Sequence, residues 1–362
     1  MTQPLPPDQR VGYAVIGVGE LTTEELLPAF EASKSSRLAA LVSGDVEDAR
    51  RLARAYGLRD EDALSYDDLE KLGDREDVHA VYIVTPNSLH REYTERAARM
   101  NKHVLCEKPM ATTVEDAEAM IRACDGAGVK LMIAYRCQYT PQHWALRKLV
   151  QDGELGAPRL LDSTNTQMET DPGAWRLKMD LAGGGPLPDI GLYCLNTIRF
   201  VLGTEPLEVL ATQVRPEDDE RFTEVERDFA WIMRFPDGVT ATCSTSYDAS
   251  TARYLNVLAE KGRAVMDPAY DYQGLRLEVE TPGERSERKI PEQDQFALEI
   301  DHFSECVLRG ERPFTPGEEG LQDQRIMAAL YESARTGRPV KLGAAPGRDV
   351  FRGTVPQEGR EG

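Results

Sequence analysis

Tyr13-Ala14-Val15-Ile16-Gly17-Val18-Gly19-Glu20-Leu21-Thr22 runs from a short apolar strand through a glycine turn into a helix. Gly17 and Gly19 allow a tight turn and let backbone approach a pyrophosphate at the helix N-terminus. Thr22 stands where the dinucleotide fingerprint usually has its third glycine, so the motif alone is weak and a purely structural turn competes with it. Its surroundings strengthen it. Residues 11–134 alternate short apolar strands (Leu38–Val42, Ala80–Val84, His103–Cys106, Lys130–Ala134) with helical patterns (Thr23–Ser33, Val46–Tyr56, Ser88–Met100, Val114–Ala127). That alternation predicts an α/β Rossmann domain, a doubly wound parallel sheet with its ligand at the carboxyl ends of the strands.

The pattern changes after about Arg136. A helix near Pro141–Gln151 leads into the strand Arg159–Thr166, a glycine-rich loop and a helix over Asp189–Leu202. Several extended runs follow. In Phe229-Ala230-Trp231-Ile232-Met233-Arg234-Phe235 the odd positions are large and apolar, and Ala241–Tyr247 alternates less cleanly. Two helices, near Gln295–Arg309 and Glu318–Thr336, close the pattern. This predicts an α+β C-terminal domain with a large, open, mostly antiparallel sheet packed on helices by one face. The expected division is an N-terminal arm (1–10), the Rossmann domain (11–135), a substrate and oligomerisation domain (136–345) and a loose polar tail (346–362).

At 362 residues the chain is long enough for two cores, and its 41% apolar content can fill them. No apolar run reaches the roughly 18–20 residues that span a bilayer. The N-terminus has neither a basic n-region nor an apolar h-region, so a cytoplasmic protein is expected. The six cysteines are scattered, without a CxxC and without metal-ligand spacing to a histidine; buried thiols and no metal are expected. With 43 basic and 62 acidic residues the net charge is −19, which repels nucleic acid.

Three further segments carry chemistry. Glu107-Lys108-Pro109 ends an apolar strand about ninety residues after Gly17. The plain reading is an exposed lysine before a helix. The chemical reading sets an ammonium beside a reacting hydroxyl, where it stabilises the developing alkoxide. At the end of the second strand, Ser43-Gly44 occupies the place where NAD enzymes put a carboxylate for the ribose, and Arg50 and Arg51 follow. A small hydroxyl with nearby arginines accepts a 2′-phosphate, so NADP is favoured, while Asp45 and Asp48 keep NAD open. In Leu181-Ala182-Gly183-Gly184-Gly185-Pro186-Leu187-Pro188-Asp189-Ile190-Gly191-Leu192-Tyr193 the glycines permit a tight approach, expected to be to substrate. Asp189 and Tyr193, four apart, share one helix face. A carboxylate and a phenol converging on a lysine form a proton relay; a helix cap with a packed tyrosine is the structural alternative.

With these segments the chain resembles the glucose-fructose oxidoreductase / inositol dehydrogenase (Gfo/Idh/MocA) family, and within it the glucose-fructose oxidoreductase pattern, from about Val11 to Val340. Pro316-Gly317-Glu318-Glu319-Gly320 and Ala334-Arg335-Thr336-Gly337-Arg338-Pro339 belong to the likeness. The resemblance implies a sugar oxidoreductase with Lys108, Tyr193 and Asp189 as catalytic residues. It further implies cofactor contacts from Gly17, Gly19, Glu20, Leu21, Ser43, Gly44, Arg50, Tyr66, Thr85, Pro86, Asn87, His90, Glu107, Lys108, Arg136, Trp175, Arg176 and Tyr272. A cis proline after Lys108 is implied too, as is a homo-dimer or homo-tetramer built through the C-terminal sheet. The proline-rich start, Pro4-Leu5-Pro6-Pro7, is then either an arm reaching a partner subunit or a frayed end. The expected reaction is hydride transfer at an aldose C1 with tightly held NADP and ping-pong exchange between sugars. A simple aldose dehydrogenase or keto-sugar reductase with dissociable cofactor is the first alternative, a non-catalytic NADP-binding regulator the second.

Overall fold

The computed structural model describes residues 3–343 and 351–356. The chain forms two compact units. The first takes the chain as far as Arg136, adds Asp294–Leu321 and regains the chain at Arg352; the second takes Cys137–Gln293 and the segment from Gln322.

The first unit is built on six parallel strands: β1 (Val11–Ile16), β2 (Ser36–Val42), β3 (Ala63–Leu64), β4 (Ala80–Ile83), β5 (His103–Glu107) and β6 (Leu131–Ala134). Their order is β3-β2-β1-β4-β5-β6. All pairs are parallel, as the strand–helix alternation requires. Every residue of β1 and β4 is buried, which explains why these strands read as continuous apolar runs rather than alternating ones. The strand order reverses between β1 and β4, so their carboxyl ends, after Ile16 and Ile83, open the crevice where such sheets bind ligands. The two-residue β3 and the 3₁₀ turn Tyr66–Asp74 are too short and too polar to show a period in sequence.

A strictly sequential division leaves the helix Gln295–Arg309 in the second domain; in the structure it completes the first. Asp294 caps it by accepting from Phe296 N and Ala297 N. Its Ser304 hydroxyl lies 2.8 Å from Tyr13 Oη and 2.7 Å from Ser36 Oγ, and its Asp301 accepts from Lys34 N and Ser35 N, each at 2.8 Å. Polar side chains on β1 and β2 thus find their partners on a helix far along the chain. The start of the chain is also tied down: Leu5 N donates to Lys34 O at 2.9 Å and Arg10 Nε to Leu5 O at 2.8 Å, around a 3₁₀ turn at Pro7–Gln9. Most of the tail expected to be loose lies outside the described residues. Where it is described it is anchored, because buried Arg352 pairs with buried Glu319 at 2.8 Å.

The second unit is built on nine strands: β7 (Pro158–Met168), β8 (Glu208–Val214), β9 (Asp228–Arg234), β10 (Thr240–Ser246), β11 (Asp248–Ala259), β12 (Arg263–Met266), β13 (Leu277–Thr281), β14 (Glu284–Arg288) and β15 (Val340–Lys341). They run in the order β14-β13-β12-β11-β7-β10-β9-β8-β15. Only β7 and β10 pair in parallel; the other pairs are antiparallel. The alternation in β9 sets the faces: Phe229, Trp231 and Met233 are buried, as are Ala241, Cys243, Leu255 and Val257 in register with that side. The almost wholly buried helix Leu192–Leu202 packs on this face. The opposite face carries threonines, serines and charges together with exposed Leu160, Leu210, Ile232 and Leu258. The six cysteines are buried thiols. Among the described residues no helix is long and apolar enough to cross a membrane.

Candidate functional site

Gly17 leaves β1 with φ +106°, and a Cβ there would stand 2.5 Å from the Val84 carbonyl oxygen. Only glycine fits between the ends of β1 and β4. A Cβ on Gly19 would meet nothing within 4 Å, so this side of the turn is open. Thr22 shows why the third fingerprint glycine is dispensable: its buried hydroxyl donates to Gly17 O at 2.7 Å and braces the turn from within. Glu20 is exposed beside the opening and Leu21 half-buried. The helix begins with a π turn, Thr22–Leu26, a rare geometry that recurs at functional sites.

At the end of β2, Ser43 is buried, with its Oγ accepting from Asp45 N at 3.2 Å. Asp45, the nearest acid, caps its own helix by accepting from Asp48 N at 3.0 Å. On that helix Arg50 pairs with Glu47, and Arg51 with Asp48 at 2.6 Å. Gly44 faces Tyr66, whose ring would lie 3.5 Å from a Cβ there. Tyr66 stacks on Tyr93 at 5.5 Å between centroids, and burial raises the pKa of both phenols, Tyr93's to about 12. Ser43, Gly44, Tyr66 and the arginine-bearing helix therefore gather at one edge of the crevice.

The ends of β4 and β5 meet through His90. The ring is fully buried, with Nε2 3.0 Å from Thr85 O and Nδ1 2.9 Å from Pro109 O. Burial lowers its pKa, and a neutral imidazole has one N–H to share between those two carbonyls. His90 pins the two strand-end loops together from below. Pro86 caps the 3₁₀ turn Asn87–Leu89, and Asn87 is buried at its start. The buried Thr85 hydroxyl finds no hydrogen-bond partner among the described residues, which fits a ligand group arriving there.

Lys108 is half-buried, and its peptide bond to Pro109 is cis, as the resemblance implied. Its N–H donates to Glu107 Oε2 at 3.2 Å, while Tyr82 Oη donates to Glu107 Oε1 at 2.8 Å. Burial pushes the Glu107 pKa up; the charges of Lys108 and Arg136 oppose that. Glu299 approaches the same phenol, with Oε2 at 3.4 Å, and burial together with Glu107 pushes it well above the usual carboxyl range. The buried Arg136 donates to Gln295 Oε1 at 2.7 Å, so its guanidinium belongs to this cluster under the strand ends.

In the second unit, Asp189 lies in a π turn, Leu187–Gly191, that continues into Leu192–Leu202, and half-buried Tyr193 follows one turn later. Tyr193 packs against Tyr270, with centroids 5.9 Å apart. Arg176 Nε stands 3.2 Å from Asp189 Oδ2 and its guanidinium lies 4.7 Å over the Trp175 ring. The neighbouring carboxylate raises the Arg176 pKa, with Tyr272, 42% exposed, close enough to contribute. The glycine run serves a purpose other than the expected approach to substrate. A Cβ on Gly184 would stand 2.0 Å from Tyr331 Oη, and one on Gly185 2.3 Å from Glu226 O. Tyr331 Oη donates to the buried Glu226 carboxylate at 2.9 Å. These glycines admit the unit's own side chains.

Sequence reasoning missed Tyr82, Glu299, Tyr247, Glu226 and Tyr331. Each lies in an apolar or mixed stretch without a motif, and only tertiary packing of strands and helices far apart in the chain brings it to its partner.

A family model described as an oxidoreductase family with an NAD-binding Rossmann fold matches residues 11–135, and a GFO/IDH/MocA C-terminal domain model matches residues 143–265. The D-xylose 1-dehydrogenase (NADP(+)) of Haloarcula marismortui is 36% identical over 341 residues, 92% of this chain and 94% of that protein. The crystal structure of an aldose-aldose oxidoreductase from Caulobacter crescentus complexed with glycerol is similar at TM-score 0.90 and 43% identity, over 92% of this chain and 100% of that one. A 3-ketoreductase from Actinomadura kijaniata, in complex with NADP and TDP-benzene, gives TM-score 0.81 and 27% identity over 90% and 98%.

Proposed function

The chain belongs to the Gfo/Idh/MocA family of oxidoreductases, and on that premise we propose that it is an NADP-dependent sugar oxidoreductase acting at C1 of a cyclic aldose. The observation that carries this reading is the pairing of an open glycine turn at Gly19 with an orphaned Thr85 hydroxyl at the same crevice, in a chain similar along its length to sugar oxidoreductases. A nicotinamide nucleotide bound there supplies the hydride acceptor and donor.

The residues present fit that group. The turn at Gly17–Gly19 would receive the pyrophosphate, and Thr85, Pro86 and Asn87 the nicotinamide end. Ser43 and Arg50, with Asp45 turned to its own helix, favour a 2′-phosphate; Arg50, now paired with Glu47, would hold that phosphate. Lys108 holds positive charge near the substrate hydroxyl, Tyr193 gives and takes its proton, and Asp189 orients it. Trp175 and Arg176 would lie near the nicotinamide, with Arg176 also holding Asp189. The likeness to an aldose-aldose oxidoreductase favours a cofactor retained between turnovers and exchange between two sugars; the xylose dehydrogenase favours a dissociable one. A second copy of this chain covers the open face of the nine-stranded sheet.

The test is spectrophotometric. Protein purified without added nucleotide receives an aldose, and the near-ultraviolet absorbance of reduced nicotinamide is followed. An immediate rise, bleached by a second sugar, supports retained cofactor and sugar exchange. A rise only after NADP is added supports the simple dehydrogenase. Lys108→Ala and Tyr193→Phe should each lower turnover at least about a hundredfold while nucleotide still binds. Full turnover in either variant removes it from the mechanism, and silence across a sugar panel overturns the reading.

A further inference from the structure

We propose that Tyr247 is a positioning residue for this reaction, its phenol fixing the Asp189 carboxylate in the place where a substrate hydroxyl must meet it. The inference rests on the functional reading above and adds to it a residue that no motif marks. Tyr247 sits at the corner between β10 and β11, fixed at both ends: its N–H donates to Arg227 O at 3.0 Å and its carbonyl accepts from Glu169 N at 2.8 Å. The ring is fully buried among Leu177, Ile190, Phe222 and Val225. Leu177 follows Arg176 in the chain and Ile190 follows Asp189, so one small core seats both members of the ion pair and the tyrosine.

From that core the Tyr247 hydroxyl donates to Asp189 Oδ2 at 2.7 Å, and Arg176 Nε approaches the same oxygen at 3.2 Å. An O–H donor to a carboxylate at this length is among the stronger hydrogen bonds, and two donors on one oxygen set the plane of the carboxyl group. The charged and titratable groups around the pair are Arg176 and Glu226 beside Tyr247, and Glu169 and Tyr272 beside Arg176. Burial, and then Asp189, pushes the Tyr247 pKa well up, so it stays a donor through the working pH range. Its function is therefore to hold a carboxylate still, distinct from the proton transfer given to Tyr193. A loosened carboxylate costs rate more than binding, because the reacting geometry tolerates little displacement.

The experiment compares parent, Tyr247→Phe, Asp189→Asn and the double variant, loaded with NADP and given whichever aldose the parent turns over. Tyr247→Phe keeps the ring in its core and is expected to lower kcat about ten- to a hundredfold with KM and nucleotide affinity within about twofold. Its acid limb in the pH–rate profile should move to higher pH, since a carboxylate that loses a donor protonates more readily. Adding Tyr247→Phe to Asp189→Asn should cost little more than Asp189→Asn alone. Phe222→Leu, which loosens the same core without reaching Asp189, should lower the melting temperature and leave the acid limb in place. Parental kcat and acid limb in Tyr247→Phe, strict additivity in the double variant, or an equal shift from Phe222→Leu each overturn the proposal while the functional reading stands. A parent inactive on every sugar overturns both.

Discussion

Tyr82 faces two buried carboxyl groups at once, Glu107 at 2.8 Å and Glu299 at 3.4 Å. Two carboxyls sharing one dry site cannot both ionise cheaply, and burial pushes both upward in pKa. Above the ordinary carboxyl range the native chain therefore keeps a proton that the unfolded chain releases. Stability contributed by this site then falls as pH rises from that range toward the raised pKa values. Glu299→Gln, which retains a polar partner for Tyr82, is expected to raise stability at pH 8 by about 1 kcal/mol or more and to flatten its slope between pH 5 and 8. Chemical denaturation across that interval checks it; an unchanged slope sinks the assignment. Glu107 was legible because it adjoins Lys108 in a strand-end tripeptide. Glu299 was not, since nothing in an amphipathic helix marks which acid turns inward, and its neighbour Glu107 lies far away in sequence.

The strand ends and first helical turns show the same division between pattern and cause. The sequence placed a glycine turn before one helix and a glycine run before another, and both helices open with a π turn. The reason for the first run was readable: Gly17 must leave β1 at φ +106° against Val84. The reason for the second was not. Gly184 lies under Tyr331, which arrives from the helix Gly317–Thr336, and no local period announces that contact. Gly184→Ala is accordingly expected to destabilise the protein by about 2–3 kcal/mol, a typical cost of forced overpacking. Urea unfolding of Gly184→Ala, with and without Tyr331→Phe, measures it. Relief by the second change, which removes the oxygen nearest the new methyl, locates the clash; no relief puts the cost elsewhere. The β13–β14 hairpin, Leu277–Thr281 and Glu284–Arg288, was similarly hard to read, because its outer strand is almost wholly charged or exposed.

At the scale of the molecule, the central strands of the two sheets follow from periodicity: continuous short apolar runs for strands covered on both faces, alternation for strands covered on one. That second rule leaves a face to account for. Leu160 opposes Leu258 in register, and Leu210 opposes Ile232, all at least 38% exposed on a chain of net charge −19. The second copy proposed to cover this face would bury all four. On the proposed pairing of two copies, the parent should sediment as an oligomer and Ile232→Lys as a monomer in sedimentation equilibrium at micromolar concentration, with turnover measured alongside; an unchanged mass removes this face from the interface.

The helix Gln295–Arg309 closes the first unit from a place in the chain beyond β14. During synthesis the ribosome releases β1 to β6 and then the next eight strands before that helix exists. Until it emerges, Tyr13 and Ser36 lack the Ser304 hydroxyl, and the N–H groups of Lys34 and Ser35 lack Asp301. The nucleotide-binding unit, though its six strands are translated ahead of β7 to β14, is thus finished late. Its completion becomes a check that the fourteen strands ahead of that helix have been made.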